Sequence, residues 1–214
     1  MQNHLTDVEQ RIKRYWYTDG IGELIGGAMF ILMGIYFGLQ ELLGQNSMLG
    51  GILQASLALV MIAGIYISRR LISALKTRLT YPRTGFVEYR VDEANVISKR
   101  FWAFVLALGI SGLTMLFVRL FDFFDSIVAV TGVAVGLILI ILRAKSARLA
   151  RFYVLGMVSV VLGLALSISG LPNGYSLGLF YGLMGACFIV SGGWTLRLYL
   201  EQNPLPVDAE LPNG

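Results

Sequence analysis

The stretch MLGGILQASLALVMIAGIYIS, Met48–Ser68, runs for 21 residues without a charge and is closed by the pair Arg69-Arg70. Its apolar residues lie on every side, with neither the alternation of a half-buried strand nor the stripe of a surface helix. About 20 such residues cross roughly 30 Å of hydrocarbon as an α-helix. The segment therefore reads as a transmembrane span ended by two cations. Five more apolar runs surround it: Gly22–Leu39, Phe101–Val118, Ile127–Leu142, Phe152–Leu171 and Tyr175–Leu198. Across the 214 residues, 56% are hydrophobic and 14% charged, against about 25% charged in a soluble domain. That deficit is too large for a water-facing surface.

The cations give these spans a direction. Sixteen of the seventeen Lys and Arg residues fall on one side of the six runs, and Arg119 alone falls on the other. The basic side holds Arg11, Lys13 and Arg14, then Arg69, Arg70, Lys76, Arg78, Arg83, Arg90, Lys99 and Arg100, then Arg143, Lys145, Arg148 and Arg151, and finally Arg197. Short basic loops are retained in the cytoplasm during insertion. The fold expected is an all-α integral membrane protein of six transmembrane helices in three hairpins. Both termini are cytoplasmic, and a long basic loop joins helices 2 and 3. Residues 1–202 form one domain, with an interfacial segment at 1–20, the cytoplasmic loop at 69–100 and a disordered tail at 203–214. The net charge of +4 would point to nucleic acid in a soluble protein, but here the sidedness accounts for it. The cell inner membrane is the expected location.

Other features bound the chemistry. One cysteine, Cys187, forms no internal disulfide, and one histidine, His4, makes no metal pair. No P-loop, dinucleotide glycine fingerprint or nucleophile elbow occurs, so neither an enzyme nor a metal or cofactor site is expected. Acidic and basic residues before the first apolar run argue against a cleavable leader. Leu5, Val8, Ile12 and Tyr15 recur at helical spacing, and Thr6 with Glu9 fits a capping box, giving a short helix in the headgroup region.

The long loop is the most distinctive segment. Leu71, Leu75 and Leu79 share a helical face, with Arg70, Lys76, Thr77 and Arg78 off it, a pattern that attracts anionic lipid at about 1 kcal/mol per basic residue. Arg69, Arg70, Lys76, Arg78 and Arg83 are the residues expected to contact lipid or a partner. Tyr81-Pro82-Arg83-Thr84-Gly85 is expected to break the helix, and Phe86–Val91 with Val96–Ile97 to form a small hairpin. Glycines recur at four-residue spacing at Gly22 and Gly26, Gly34 and Gly38, Gly132 and Gly136, and Gly174, Gly178 and Gly182, which lets another backbone approach closely. Packing inside the chain's own bundle is the first reading of that spacing, and a homo-oligomer interface on the last span the second. Shifting the first hairpin by 129 residues also aligns Gly27 with Gly156, Gly34 with Gly163, Ser47 with Ser176 and Gly64 with Gly193, matches of a kind that 25 glycines also produce by chance.

Polar groups inside the runs are few. Glu23 and Gln54 are the candidates for a polar path, and Glu23 is shallow enough to be interfacial. Ser56, Ser111, Thr114, Thr131, Ser159 and Ser191 are expected to satisfy themselves on their own helix backbones. Asp122 and Asp125 beside Arg119 read as a solvated turn. The function expected is accessory or structural: binding of membrane lipids or a protein partner through the basic loop. The rival is a small-solute transporter or channel built around Glu23 and Gln54.

Overall fold

A computed structural model describes residues 19–44, 47–84, 127–144 and 149–204. All regular structure among them is helical. Helix α1 spans Ile21–Leu43 and α2 Met48–Leu75. A π-helical stretch, Lys76–Thr80, and a terminal turn, Tyr81–Thr84, prolong α2. Helix α3, Ile127–Ile138, passes into a second π-helical stretch, Leu139–Ala144. Helix α4 spans Ala150–Ser167 and α5 Asn173–Gln202. Four helices, counting α2 with its extension, are long and apolar enough to cross a membrane, and the apolar part of α3, Ile127–Ile141, is shorter. The apolar run 101–118, the 86–97 hairpin and the Asp122–Asp125 turn lie outside the described residues, as do the N-terminal helix and most of the tail.

The helix ends follow from local chemistry. Ser47 is extended and its Oγ accepts from Gly50 N at 2.9 Å, which satisfies one of the N–H groups a helix start leaves open. Gly20, with φ +70°, turns the chain into α1, and its carbonyl accepts from both Glu23 N and Leu24 N at 3.1 Å.

The extension of α2 departs from the expected break. Tyr81–Thr84 is helical despite Pro82. In a regular helix a proline ring clashes with the carbonyl four residues earlier. Here Tyr81 N bonds to Lys76 O, five residues back, and this wider register relieves the crowding. The helix expected over Arg69–Leu79 is present, and it continues through Thr84, past the expected break.

The principal interface joins α1 and α5. Gly20, Gly27 and Gly34 recur every seven residues along the first chain segment and oppose Gly192, Gly185 and Gly178, spaced the same way on the other. A Cβ on Gly27 would lie 2.7 Å from Gly185 O, and one on Gly34 would lie 2.7 Å from Gly178 O. No side chain fits between these backbones. Since lipid is as apolar as leucine, association within a membrane depends on such close van der Waals packing. Helices α3 and α4 repeat the solution: Gly132 faces Gly163 and Ser159, and Gly136 faces Gly156. Of the glycines aligned by the 129-residue shift, Gly27, Gly34, Gly156 and Gly163 sit at close crossings, α1 on α5 and α4 on α3, whereas Gly64 and Gly193 meet only side chains at ordinary distance.

Between these seams lies an apolar core of Val128, Leu139, Phe152, Leu155, Phe180, Met184 and Phe188. Phe37 stacks on Tyr181 at 5.5 Å, and Phe30 meets both Tyr181 and Phe188. On α2, by contrast, Leu49, Ile52, Leu59, Ile62, Ile65 and Tyr66 are all exposed. A single soluble chain rarely leaves so long an apolar face open.

Candidate functional site

Charged side chains gather at one end of the bundle, where α1 and α4 begin and where α2 and α5 end. Asp19 and Glu23, four residues apart, place two carboxylates at the start of α1, and both are buried. Asp19 Oδ2 pairs with Lys76 Nζ at 2.8 Å and accepts from Thr80 Oγ1 at 3.3 Å. Its Oδ1 accepts from Ile21 N at 3.2 Å, so the same carboxylate holds the first turn of α1. Lys76 and Thr80 open and close the π-helical stretch, and both are buried, whereas Thr77 and Arg78 between them are exposed. Beyond them, Arg83 Nη1 donates to Asn203 O at 2.7 Å and to Leu200 O at 3.4 Å. A cation at these carbonyls complements the negative end of the α5 dipole.

Glu23 reaches two other helices. Its Oε1 lies 2.6 Å from Arg151 Nη2 on α4, and its Oε2 accepts from Ser191 Oγ on α5 at 2.8 Å. Arg151 Nη1 donates to Thr195 Oγ1 at 2.8 Å, and that hydroxyl donates to Ser191 O at 2.8 Å. An ion pair, two charge-assisted hydrogen bonds and one neutral bond thus link α1, α4 and α5, and the charge-assisted bonds are stronger than the neutral one.

The residues singled out in the sequence separate on this frame. Arg69, Arg70 and Arg78 are exposed, and Arg83 is half-buried on the end of α5. Lys76 departs from expectation: it is 4% exposed and committed to Asp19, so it has no face to offer a headgroup. Glu23 is likewise 4% exposed and tied between helices rather than reaching an interface by itself. Gln54 is exposed on α2, one residue from Leu53, whose carbonyl accepts from Tyr36 Oη at 2.6 Å. Tyr36 stands 13 residues along α1 from Glu23, about 20 Å at 1.5 Å per residue. The structure does not bring Glu23 and Gln54 together into one path.

Gly174 and Gly178 face α1, against Glu41 and against Gly34 with Gly38, respectively. The Gly182 backbone lies beside Gly34, while a Cβ at Gly182 would enter open space. The surface considered for a second copy is therefore largely occupied by the chain's own α1. Of the hydroxyls, Ser56 and Thr131 bond to their own helices, at Leu53 O and Ile127 O. Ser159 instead donates to Gly132 O on α3, and Ser191 to Glu23.

Sequence reasoning missed Asp19, Thr80 and Thr195, and saw Arg151 only as one more cation of a basic turn. The available signal was spacing: Lys76 with Thr80, and Ser191 with Thr195, are each four apart, and residues so spaced share a helix face, whereas Asp19 precedes the turn at Gly20 and gave no such signal. The chain matches no family model, no curated protein and no solved structure.

Proposed function

We propose that this chain is a non-enzymatic membrane protein of accessory or structural type, which binds anionic lipid headgroups through the basic end of α2. In this reading it crosses the inner membrane six times, in three hairpins with both termini cytoplasmic. The basic ends of α2, α4 and α5 then share the cytoplasmic surface, and nucleic acid has no role.

One observation carries the lipid reading. Arg69, Arg70 and Arg78 stand exposed on a single continuous helix, while Lys76 between them is turned inward to Asp19. The helical unit Met48–Arg83 is 36 residues long, roughly 54 Å at 1.5 Å per residue, and only about 30 Å of that fits the hydrocarbon. With Met48–Ser68 in the membrane, the three guanidinium groups fall at and just beyond headgroup height. Fixed donors on a rigid element suit a phosphate better than the same cations on a loop, because little freedom is lost on binding.

The experiment replaces Arg69, Arg70 and Arg78 with Gln and compares retention of phosphatidylglycerol and of phosphatidylcholine by the purified protein. The variant should lose preference for the anionic lipid and keep its thermal midpoint. The parent's preference should shrink at high salt, since exposed charges are screened within about 8–10 Å. Equal retention of both lipids by the parent protein would overturn the reading.

A further inference from the structure

Buried charges are an expensive way to join helices. Taking an ion pair out of water costs more than its attraction commonly returns, and an apolar contact of similar volume holds as well or better. This chain uses the cheaper joint elsewhere, where α1 meets α5 at Gly27 with Gly185 and at Gly34 with Gly178. At the basic end alone, among the described residues, it places two carboxylates against two cations. The division of labour is specific. Asp19 holds the end of α2, through Lys76 and Thr80. Glu23 holds the start of α4, through Arg151, and rests on Ser191 of α5. The α1–α5 pair is continuous beneath both.

We propose that Asp19 and Glu23 form a two-armed, charge-operated clamp. The α1–α5 pair is the fixed jaw. The segment 76–84, which Arg83 also ties to α5, and the first turn of α4, beside core residue Phe152, are separate arms, and each loosens when its own carboxylate is neutralised. Lys76 and Thr80, four residues apart, face inward together while Arg78, two along from Lys76, stays outside. Buried polar joints are retained in some proteins for a switching role and not for stability, and an ionisable residue inside a span is a functional hypothesis by default. The clamp does not depend on the lipid reading, because neither carboxylate is offered to lipid.

The test is hydrogen exchange of the full-length protein in lipid nanodiscs, read by mass spectrometry, for Asp19→Asn and Glu23→Gln. Both changes keep the shape and an acceptor oxygen, so Ile21 N and Ser191 Oγ retain partners. Asp19→Asn should speed exchange across 76–84 by about tenfold or more, an opening local to that segment, and leave 150–156 unchanged. Glu23→Gln should do the reverse. Peptides covering 178–188 should stay protected in both, and the charge-swapped pair Asp19→Lys with Lys76→Asp should restore protection of 76–84. Unchanged exchange in both single variants would overturn the proposal, as would both arms opening together in each variant. Loss of protection at 178–188 would also overturn it, by making the pairs general braces of the fold, and so would a charge swap that fails to restore 76–84.

Discussion

Lys76 and Arg78 are two residues apart, both basic, and identical in what their local sequence says of them. Their environments are opposite. Lys76 is buried against Asp19, and Arg78 is exposed. Two residues apart on a helix, they face opposite sides, and the side that turns inward is set by a partner 57 positions earlier, which neither hydropathy nor charge pattern reveals. It has a measurable consequence. Removing one member of a buried pair leaves the other uncompensated, which costs about 3–5 kcal/mol, while an exposed substitution stays within about 0.5 kcal/mol. Lys76→Gln should therefore lower stability by about 3 kcal/mol in denaturant titrations of the detergent-solubilised protein, and Arg78→Gln should be near neutral. Equal effects of the two would mean that the Asp19 pairing contributes nothing. Glu23 teaches the same lesson. Its shallow position in the first span is plain in the sequence, but its bonds to Arg151 and Ser191 depend on which helices become neighbours.

At the scale of elements, the apolar runs were readable because a span is a property of one segment: its length and its lack of charge are local. Which glycines make contact is a property of two segments. The four-residue spacing drew attention to Gly22 with Gly26 and to Gly174, Gly178 and Gly182. The α1–α5 seam instead runs every seven residues, a recurrence that keeps one stripe facing its partner over many turns. Gly22 and Gly26 meet open space. With 25 glycines in the chain, several spacings coexist, and only the partner helix selects among them. The selection predicts opposite outcomes for one substitution. Gly185→Ala would put a methyl 2.7 Å from Gly27 O and 2.8 Å from Ile31 Cγ1, and overpacking of this kind costs about 1–3 kcal/mol. Gly26→Ala meets no neighbour and gains the lower unfolded-state entropy of alanine, about 0.4–1 kcal/mol. Thermal midpoints in detergent should fall for the first and hold or rise for the second. A common response at both positions would show that the seam is not close-packed.

The whole molecule is organised by charge sidedness, and here sequence and structure address the same quantity in different ways. Every Lys and Arg among the described residues, from Arg69 through Arg197, belongs to the end of the bundle where Asp19, Thr80, Arg151 and Asn203 come together. The opposite end, with Gly44, Ser47 and the Gly170–Pro172 connection, has none among the described residues. Basic loops hold their side of the membrane during insertion, so the basic end should face the cytoplasm. Arg78 and Asn173 are suited to test this, because both are exposed and lie at opposite ends, and because Arg78 carries no packing that a cysteine would disturb. In a background where Cys187 is replaced by Ala, a membrane-impermeant maleimide applied to intact cells should label Asn173→Cys directly. It should reach Arg78→Cys only after the membrane is permeabilised. Direct labelling at 78 would invert the molecule and move the arginine face of α2, with the lipid contact proposed for it, to the outer leaflet. Labelling at both positions without permeabilisation would place both ends outside and remove α5 and the α2 unit from the set of spans.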